Sequence, residues 1–279
     1  MFGIQFFKTL LFLYVMIVGG SDISVMSYNI RYDNPNDGKD RWKNRRNSIV
    51  TFIQNAEPDI IGMQEVLHGQ LQFISNQITD YSYIGVGRDD GKIKGEYSPI
   101  FYRKKTLVLQ ESHTFWLSET PDSISVGWDA ALPRICTYAR FEHKNTQKQF
   151  WVFNTHFDHR GEEARKQAAD LILRTIKEVN KTQIPVILTG DFNLTPDTVP
   201  IQQLQQQMED VMYGVLPSAK DYGTFNGFEL VPSESQRIDY IFQKGFVHKK
   251  AKHLWIKTPQ KRWASDHHPV YAQLKLSKK

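Results

Sequence analysis

The chain has 279 residues, 40% of them hydrophobic and 13% aromatic, and its formal net charge is +5. This length and hydrophobic content are sufficient for a substantial core, which excludes an intrinsically disordered chain. The single cysteine, Cys136, excludes an intramolecular disulfide and a structural metal site built from several thiolates. Because Cys136 lies at the start of a predicted strand, we expect an inert, buried thiol.

The N-terminal segment has the composition of an export signal. Residues 1–20 contain one lysine and no acidic residue, residues 10–18 are apolar, and small residues follow as far as Ser21. This pattern is typical of a secretory signal peptide, and an uncleaved membrane anchor is the alternative. We therefore predict a signal peptide over residues 1–21, a single domain over residues 22–279, and a secreted or periplasmic protein.

Positive charge is concentrated at the C-terminal end. Residues 237–279 contain eleven Lys or Arg and two acidic residues, so they carry +9 and leave −4 for the rest of the chain. The densest part, residues 249–262, is interrupted by Trp255. It predicts either a solvated hairpin in which Trp255 is buried, or a surface that attracts phosphate-rich polymers.

The first elements of the mature chain form a strand, helix, strand unit. Residues 23–30 alternate apolar and polar side chains, which predicts a strand. Residues 43–55 place apolar side chains on one helical face, and Glu57-Pro58 ends this helix. Residues 59–65 are mostly apolar and predict a second strand.

The same order recurs in the second half of the chain. Residues 150–156 predict a strand, 162–180 a helix and 184–188 another strand. Shorter strands are predicted at residues 81–86, 99–103, 107–112, 135–142, 238–243, 253–256 and 270–276. Two related halves of this kind predict an α/β fold with two sheets and a few covering helices.

Polar side chains follow the apolar strands at the points where the strands end. Asn29 ends the first strand, Glu65 the second and His156 the third, while Asp191 and Asn193 follow the fourth. Taken singly, such residues are usually turn formers, helix caps or bystanders. Open α/β sheets form their ligand crevices at strand ends, so the set together predicts a functional site.

Two later segments complete the set: Asp239 near the start of a predicted strand, and Ser265-Asp266-His267 directly before the last one. With them, the chain resembles the endonuclease/exonuclease/phosphatase family of metal-dependent phosphoesterases, which includes DNase I-like nucleases. The matching segments, in family order, are Tyr28-Asn29, Gln64-Glu65, Asn154-Thr155-His156, Gly190-Asp191-Phe192-Asn193, Ile238-Asp239-Tyr240 and Ser265-Asp266-His267. The resemblance implies a four-layer α/β sandwich, in which two face-to-face β-sheets are flanked by helices and the site lies at one rim.

The resemblance also implies how the residues divide the chemistry. Asn29 and Glu65 would hold Mg²⁺ or Mn²⁺, and Asp266 would approach the same ion. Hard oxygen ligands of this kind suit both metals. Asp191 would orient or deprotonate the attacking water, and Asn193 would hold a phosphate oxygen.

Two histidines complete the expected machinery. His267 matches the final histidine of the family, and Asp239 matches the carboxylate that fixes its tautomer. Whether Asp191 or His267 takes the proton stays open. His156 would donate to the phosphate or to the leaving oxygen, with Glu96 supporting it.

Substrate identity rests on weaker features. The basic segment flanks the Ser265-Asp266-His267 turn, which favours a phosphodiesterase acting on nucleic acid or nucleotides. A phosphatase or a sphingomyelinase-like hydrolase of phospholipid or inositol phosphate is the alternative, and a non-catalytic binding module on the same fold is the second. Trp128 and Arg134 are predicted to contact substrate, although a structural loop explains them equally. We expect a monomer without an obligate protein partner.

Overall fold

The computed structural model describes residues 22–214, 223–230 and 236–276, so the predicted signal peptide lies outside the described residues. Within them, no helix has the length and apolar character that a membrane crossing requires. The helices are α1 (Trp42–Ala56), α2 (His68–Gln77), α3 (Glu162–Val179) and α4 (Val199–Gln207). The strands are β1 (Asp22–Asn29), β2 (Ile60–Gln64), β3 (Tyr81–Ile84), β4 (Ile100–Arg103), β5 (Leu107–Trp116), β6 (Ile135–His143), β7 (Gln149–His156), β8 (Val186–Asp191), β9 (Glu209–Asp210), β10 (Asp239–Lys244), β11 (Phe246–His253) and β12 (Val270–Leu276).

The strands form two mixed sheets of six. The order is β11-β12-β1-β2-β4-β3 in the first sheet and β5-β6-β7-β8-β10-β9 in the second. β1 runs parallel to β2, and β7 runs parallel to β8, whereas the neighbouring pairs are antiparallel. Each parallel pair encloses one helical crossover, as the repeated strand, helix, strand pattern predicts. The predicted four-layer sandwich is confirmed.

Three apolar layers hold the sandwich together. Val25 and Ile60 of the first sheet meet Val152 and Ile187 of the second in the central layer. One outer layer packs α1 and α2 on the first sheet, and the other packs α3 and α4 on the second. Since the central strands are covered on both faces, nearly all of their side chains are buried, including polar ones such as Ser27 of β1.

Several boundaries differ from the predictions, for identifiable reasons. Helices α2 and α4 were not delimited by the sequence because glutamines dominate them and each buries only a few apolar side chains. The strand predicted at residues 253–256 is wrong, since β11 precedes it and the apolar run lies in a loop. Trp255 in that loop is 63% exposed, so the expectation that this tryptophan is buried is also wrong. Cys136 is buried, as predicted, and burial raises the pKa of its thiol.

A buried amide joins the two sheets. Asn154 of β7 is fully buried, and its Nδ2 donates to the carbonyls of Met63 at 2.7 Å and Pro99 at 2.9 Å. Its Oδ1 accepts from Gln64 Nε2 at 2.7 Å and from Thr189 Oγ1 at 2.9 Å. All four hydrogen bonds of the amide are therefore made. Three of them join Asn154 to β2 of the first sheet or to the residue directly before β4.

Close approach at this amide explains one glycine. A Cβ placed on Gly62 of β2 would lie 2.1 Å from Thr189 Oγ1 and 2.6 Å from Asn154 Oδ1. Only glycine therefore lets β2 approach β7 and β8 this closely. The bridge fixes the spacing of the strands whose ends carry the candidate site.

Replacing Asn154 by Ala should lower the free energy of unfolding by about 3 kcal/mol, because several buried groups lose their partners together. Urea denaturation followed by tryptophan fluorescence measures the change. The same substitution at Asn76, exposed on α2, is the control and should be nearly neutral. Equal stability of the Asn154→Ala protein and the wild type would show that this bridge does not hold the sheets together.

Candidate active site

Six strands bring polar side chains to one rim of the sandwich. The central parallel strands β1, β2, β7 and β8 end at this rim, while the antiparallel strands β10 and β12 begin there. In the second sheet, Asp191 of β8 lies in register with His156 of β7 on one side and with Asp239 of β10 on the other. The register of hydrogen-bonded strands therefore sets three of the predicted site residues side by side.

Tight turns follow the strand ends and direct the side chains. Arg31, Glu65 and Asn193 have positive φ angles of 57°, 59° and 50°. Such left-handed backbone is uncommon for residues other than glycine and is often found at functional sites. The turns are held by side chains: Asn29 Oδ1 accepts the Arg31 N–H at 2.9 Å, and Asp191 Oδ1 accepts the Asn193 N–H at 3.0 Å.

Asn29 lies at the centre of the cluster. Its Nδ2 donates to Glu65 Oε1 at 3.0 Å and to Asp191 Oδ2 at 2.9 Å, and lies 3.5 Å from His267 Nε2. The amide nitrogen therefore faces the carboxylates, while the amide oxygen accepts a backbone N–H. Ligation of a metal through the Asn29 oxygen stays a prediction.

His267 and Asp239 form a buried ion pair. His267 Nδ1 lies 2.8 Å from Asp239 Oδ2, and both side chains are almost inaccessible to solvent. Burial opposes the charged imidazole, but the charges of Asp239 and Asp191 outweigh it, so the pKa of His267 lies well above its ordinary value. The ring is therefore a cation that can donate from Nε2 into the site.

Asp191 lies between the two histidines. Its Oδ2 is 3.5 Å from His156 Nε2 and 3.7 Å from His267 Nε2. Burial, reinforced by the charge of Asp239, raises the pKa of Asp191 to about 7, against the lowering effect of His267. A carboxyl group with a pKa near neutrality can act as a proton acceptor or donor.

His156 is held in its neutral form. Its Nε2 lies 3.1 Å from Asn193 Nδ2, and burial together with the charges of Arg134 and Arg88 lowers its pKa well below the ordinary value. Glu96 Oε2 is 3.8 Å from His156 Nδ1, which is beyond hydrogen-bond distance. The Glu96 carboxylate instead binds Arg88 through two hydrogen bonds, of 2.9 and 3.0 Å.

Carboxylates on the other side of Asn29 have weaker partners. Glu65 Oε2 accepts the Tyr32 N–H at 3.1 Å and lies 3.9 Å from Arg31 Nη1. Asp266 Oδ2 is 3.6 Å from Arg31 Nε, and burial raises the pKa of Asp266 to about 6, against the lowering effect of His267. These carboxylates, that of Asp266 buried and that of Glu65 partly exposed, are incompletely compensated, which is the electrostatic condition for binding a cation.

The donor set fits a hard divalent metal ion. Glu65, His156 and Asp191 offer ligand atoms that lie within 4.8 Å of one another, and a second such group consists of Asp191, Asp239 and His267. Asp239 Oδ2 is paired with His267, whereas the Glu65 oxygens accept hydrogen bonds from the Asn29 amide and the Tyr32 N–H and from no charged donor within 3.5 Å among the described residues. Oxygen ligands with space for water match the requirements of Mg²⁺ and Mn²⁺.

The two predicted substrate contacts differ in position. Arg134 precedes β6, and its charge contributes to the lowered pKa of His156. It is 5% exposed, with Nε 3.3 Å from Asp158 Oδ2 and Nη2 3.1 Å from His159 Nδ1. In the described ranges, the hydrogen bonds of Trp128 run from its backbone N–H to Glu119, and none joins it to the cluster. A substrate contact by Trp128 stays a prediction without a supporting contact.

Sequence reasoning missed the residues that hold the rim in place. Gln70 of α2 accepts the Asp33 and Leu67 N–H groups through Oε1 and donates to the Arg31 carbonyl at 2.9 Å. The only signals in the sequence were indirect: Gln70 lies five positions after Glu65, and Arg31 lies two positions after Asn29. Nothing in the pattern distinguished these side chains from solvated ones.

Comparison with known proteins places this site in a family context. The model of the Endonuclease/Exonuclease/phosphatase family matches residues 26–267. A solved structure of an endonuclease/exonuclease/phosphatase from Bacteroides vulgatus is 42% identical, with a TM-score of 0.85, covering 92% of this chain and 99% of that one. A mannosyl-6-phosphatase of Bacteroides thetaiotaomicron is 38% identical, with a TM-score of 0.82, covering 90% of this chain and 99% of that one.

Curated relatives are more distant, and the match covers only part of their length. An uncharacterized protein of Acanthamoeba polyphaga mimivirus is 32% identical over 160 residues, which cover 55% of this chain and 59% of that protein. The chain therefore spans about three fifths of the length of this relative.

The raised pKa of Asp191 predicts a pH-dependent cost of folding without metal. A carboxyl group whose pKa rises on folding, here from 3.8 to about 7, stabilises the native state while protonated and loses that contribution as the pH rises through this window. With EDTA at pH 8, Asp191→Asn should therefore be more stable than the wild type by about 2 kcal/mol, and the difference should shrink toward pH 4.

Urea denaturation at both pH values measures this difference. The control, Asp80→Asn, replaces an exposed carboxyl group and should leave stability unchanged. A wild type as stable as Asp191→Asn at pH 8 in EDTA would contradict the raised pKa.

Proposed function

The chain belongs to the endonuclease/exonuclease/phosphatase family, and on this premise we propose that it is a divalent-metal-dependent phosphoester hydrolase that removes phosphate from a sugar phosphate monoester. The observation that carries the hydrolytic proposal is the convergence of Glu65, Asp191 and His267 on the amide of Asn29. Family members are generally phosphoesterases and typically use divalent metals, so the expected chemistry and this arrangement agree.

The metal belongs on the Glu65 side of the rim. Glu65 would hold Mg²⁺ or Mn²⁺, with Asp266 and Asn29 beside it. When bound, the ion supplies positive charge that neutralises the phosphate and its transition state. Arg31 lies 3.9 Å from Glu65 and 3.6 Å from Asp266, so these carboxylates also have a cation of the chain itself.

The remaining residues would carry the hydrolytic step. Asp191, with a pKa raised to about 7, orients a water molecule and takes its proton as the oxygen attacks phosphorus. His267, kept cationic by Asp239, donates a hydrogen bond to a phosphate oxygen. As the bond from phosphorus to the ester oxygen breaks, the leaving oxygen would take up a proton from solvent water, while Asn193 and His156 would contact the phosphate oxygens.

Buried positive charge favours a monoester. Arg134 is 5% exposed and its Nη1 has no hydrogen-bond partner among the described residues, although Asp158 and His159 bind its other nitrogens. A terminal phosphate carries more negative charge than a diester and can engage this guanidinium in addition to His156. The 38% identity to a mannosyl-6-phosphatase over nearly the whole chain supports a sugar phosphate.

A phosphodiester of nucleic acid is the second candidate, favoured by the basic segment. Trp255 is 63% exposed, and its ring lies 6.2 Å from that of His268, beside the rim. An exposed aromatic side chain among lysines is a feature of surfaces that stack nucleobases. Fewer positive charges of this segment are available to nucleic acid than the sequence indicates, because Lys249 binds Asp22 at 2.6 Å and Arg262 pairs with Asp40.

Hydrolysis assays test both candidates. We expect phosphate release from mannose 6-phosphate and from p-nitrophenyl phosphate with Mg²⁺ or Mn²⁺, none with EDTA, and little cleavage of bis-p-nitrophenyl phosphate. Preferential cleavage of the diester, or of nucleic acid with affinity that falls steeply with salt, would favour the second candidate. No hydrolysis of any of these substrates with either metal would refute the hydrolytic proposal.

Variants test whether the measured hydrolysis comes from the proposed site and not from a contaminating enzyme. Glu65→Gln and His267→Ala should each lower kcat by roughly a hundredfold or more, since each removes a charge that acts on the phosphate or its metal. His113→Ala, which removes an exposed imidazole on β5, should keep the wild-type rate. Wild-type turnover in a folded His267→Ala protein would contradict the role given to this residue.

A further inference from the structure

Arg45 of α1 is a buried cation that binds backbone carbonyls. The residue is 1% exposed, although arginine is seldom buried without a carboxylate partner. Among the described residues it forms no salt bridge within 4.0 Å. Its guanidinium donates instead to the carbonyl oxygens of Ile30, Arg31 at 2.6 Å, Tyr32 at 3.4 Å, Asp40 at 2.8 Å and Ala264 at 3.3 Å.

These carbonyls belong to the two segments that carry the metal side of the rim. Ile30 directly follows Asn29, and Ala264 is two residues before Asp266. Although Ile30 and Ala264 are 234 positions apart in the sequence, the Nη1 atom of Arg45 donates to both carbonyls. One side chain therefore ties the segment after β1 to the segment before β12.

Arg45 is also linked to Glu65, through Tyr32. Arg45 binds the Tyr32 carbonyl, and the Tyr32 N–H donates to Glu65 Oε2 at 3.1 Å. Ser265 adds a direct link between the two segments, because its Oγ donates to the Asn29 carbonyl at 2.8 Å. Asn29, Glu65 and Asp266 are thus each at most two residues or one hydrogen bond from a carbonyl that Arg45 binds.

We propose that Arg45 is a positioning residue of the metal site, which sets the relative placement of Asn29, Glu65 and Asp266 by holding the carbonyls of both segments. The inference rests on the proposed function, in which these three side chains hold the ion. It assigns to the outer helical layer a role in metal affinity, since α1 lies on the face of the first sheet and not at the rim.

Two observations support a role beyond packing. Arg31, whose carbonyl Arg45 binds, has a left-handed φ of 57°, a conformation that needs external support. Gln70 of α2 donates to the same carbonyl at 2.9 Å, so two helices converge on one strained turn.

The test compares Mn²⁺ affinity with stability. Arg45→Lys keeps the charge but cannot reach both segments with a planar fork of donors. By isothermal titration calorimetry on metal-free protein, its Mn²⁺ affinity should fall by about tenfold or more, as for other residues that orient metal ligands. Turnover at subsaturating Mn²⁺ should fall with it and recover in part when the metal concentration is raised.

The matched control is Ile53→Ala, which removes a buried side chain from the same helix away from the rim. It should lower stability in urea at least as much as Arg45→Lys, yet keep the wild-type Mn²⁺ affinity. Equal loss of affinity in both variants would show that general destabilisation is the cause and would overturn the proposal. Unchanged affinity in Arg45→Lys would overturn it as well.

A second variant serves if Arg45→Lys does not fold. Gln70→Leu removes the other donor to the Arg31 carbonyl and should weaken Mn²⁺ binding about threefold, and unchanged affinity there would contradict the role of this turn. Failure of the proposed function is distinguishable, because wild-type protein would then bind no Mn²⁺ or hydrolyse no phosphoester. Wild-type binding and hydrolysis with unaltered variants would refute only the positioning role.

Discussion

Crowded negative charge at the rim is the constraint on which the rest of the structure depends. Four carboxylates lie together at the rim, those of Asp191, Asp239 and Asp266 buried and that of Glu65 partly exposed, and isolated charges are costly in such a place. His267 compensates Asp239, and the Asn29 amide reaches two of the others. The negative charge that these partners leave uncompensated explains why burial raises the pKa of Asp191 and Asp266 and why a divalent cation fits the site. The two rigid sheets hold these groups together against their repulsion.

The sequence predicted the sheets and the converging residues because both follow from local rules. Apolar runs that stop at Asn29, His156 and Asp191 mark strand ends, and parallel strands bring such ends to one edge. Long-range partners leave no comparable signal. Arginine is a residue type that is usually solvated, yet Arg45 lies on the same helix face as Ile49 and Ile53 and is buried against carbonyls from both ends of the chain. The orientation of the Asn29 amide depends in the same way on neighbours that no pattern specifies.

Substrate preference shows the same limit. The basic C-terminal segment favoured nucleic acid when only its charge was visible, but Lys249 binds Asp22 and Arg262 pairs with Asp40, partners more than 200 positions away. Arg134 is the opposite case. A single arginine before a strand carries little information in the sequence, and only the structure shows that it is a buried cation. Charge that is buried and incompletely partnered is a better guide to a phosphate than charge that is counted along the chain.

Anomalous diffraction from a crystal grown with Mn²⁺ would locate the bound ion without reference to activity. We expect one strong peak at the rim, within ligand distance of the Glu65 carboxylate and on the same side of Asn29 as Asp266. A peak elsewhere, or a rim that stays empty at millimolar Mn²⁺ while Glu65 and Asp191 keep their positions, would refute the proposed metal site.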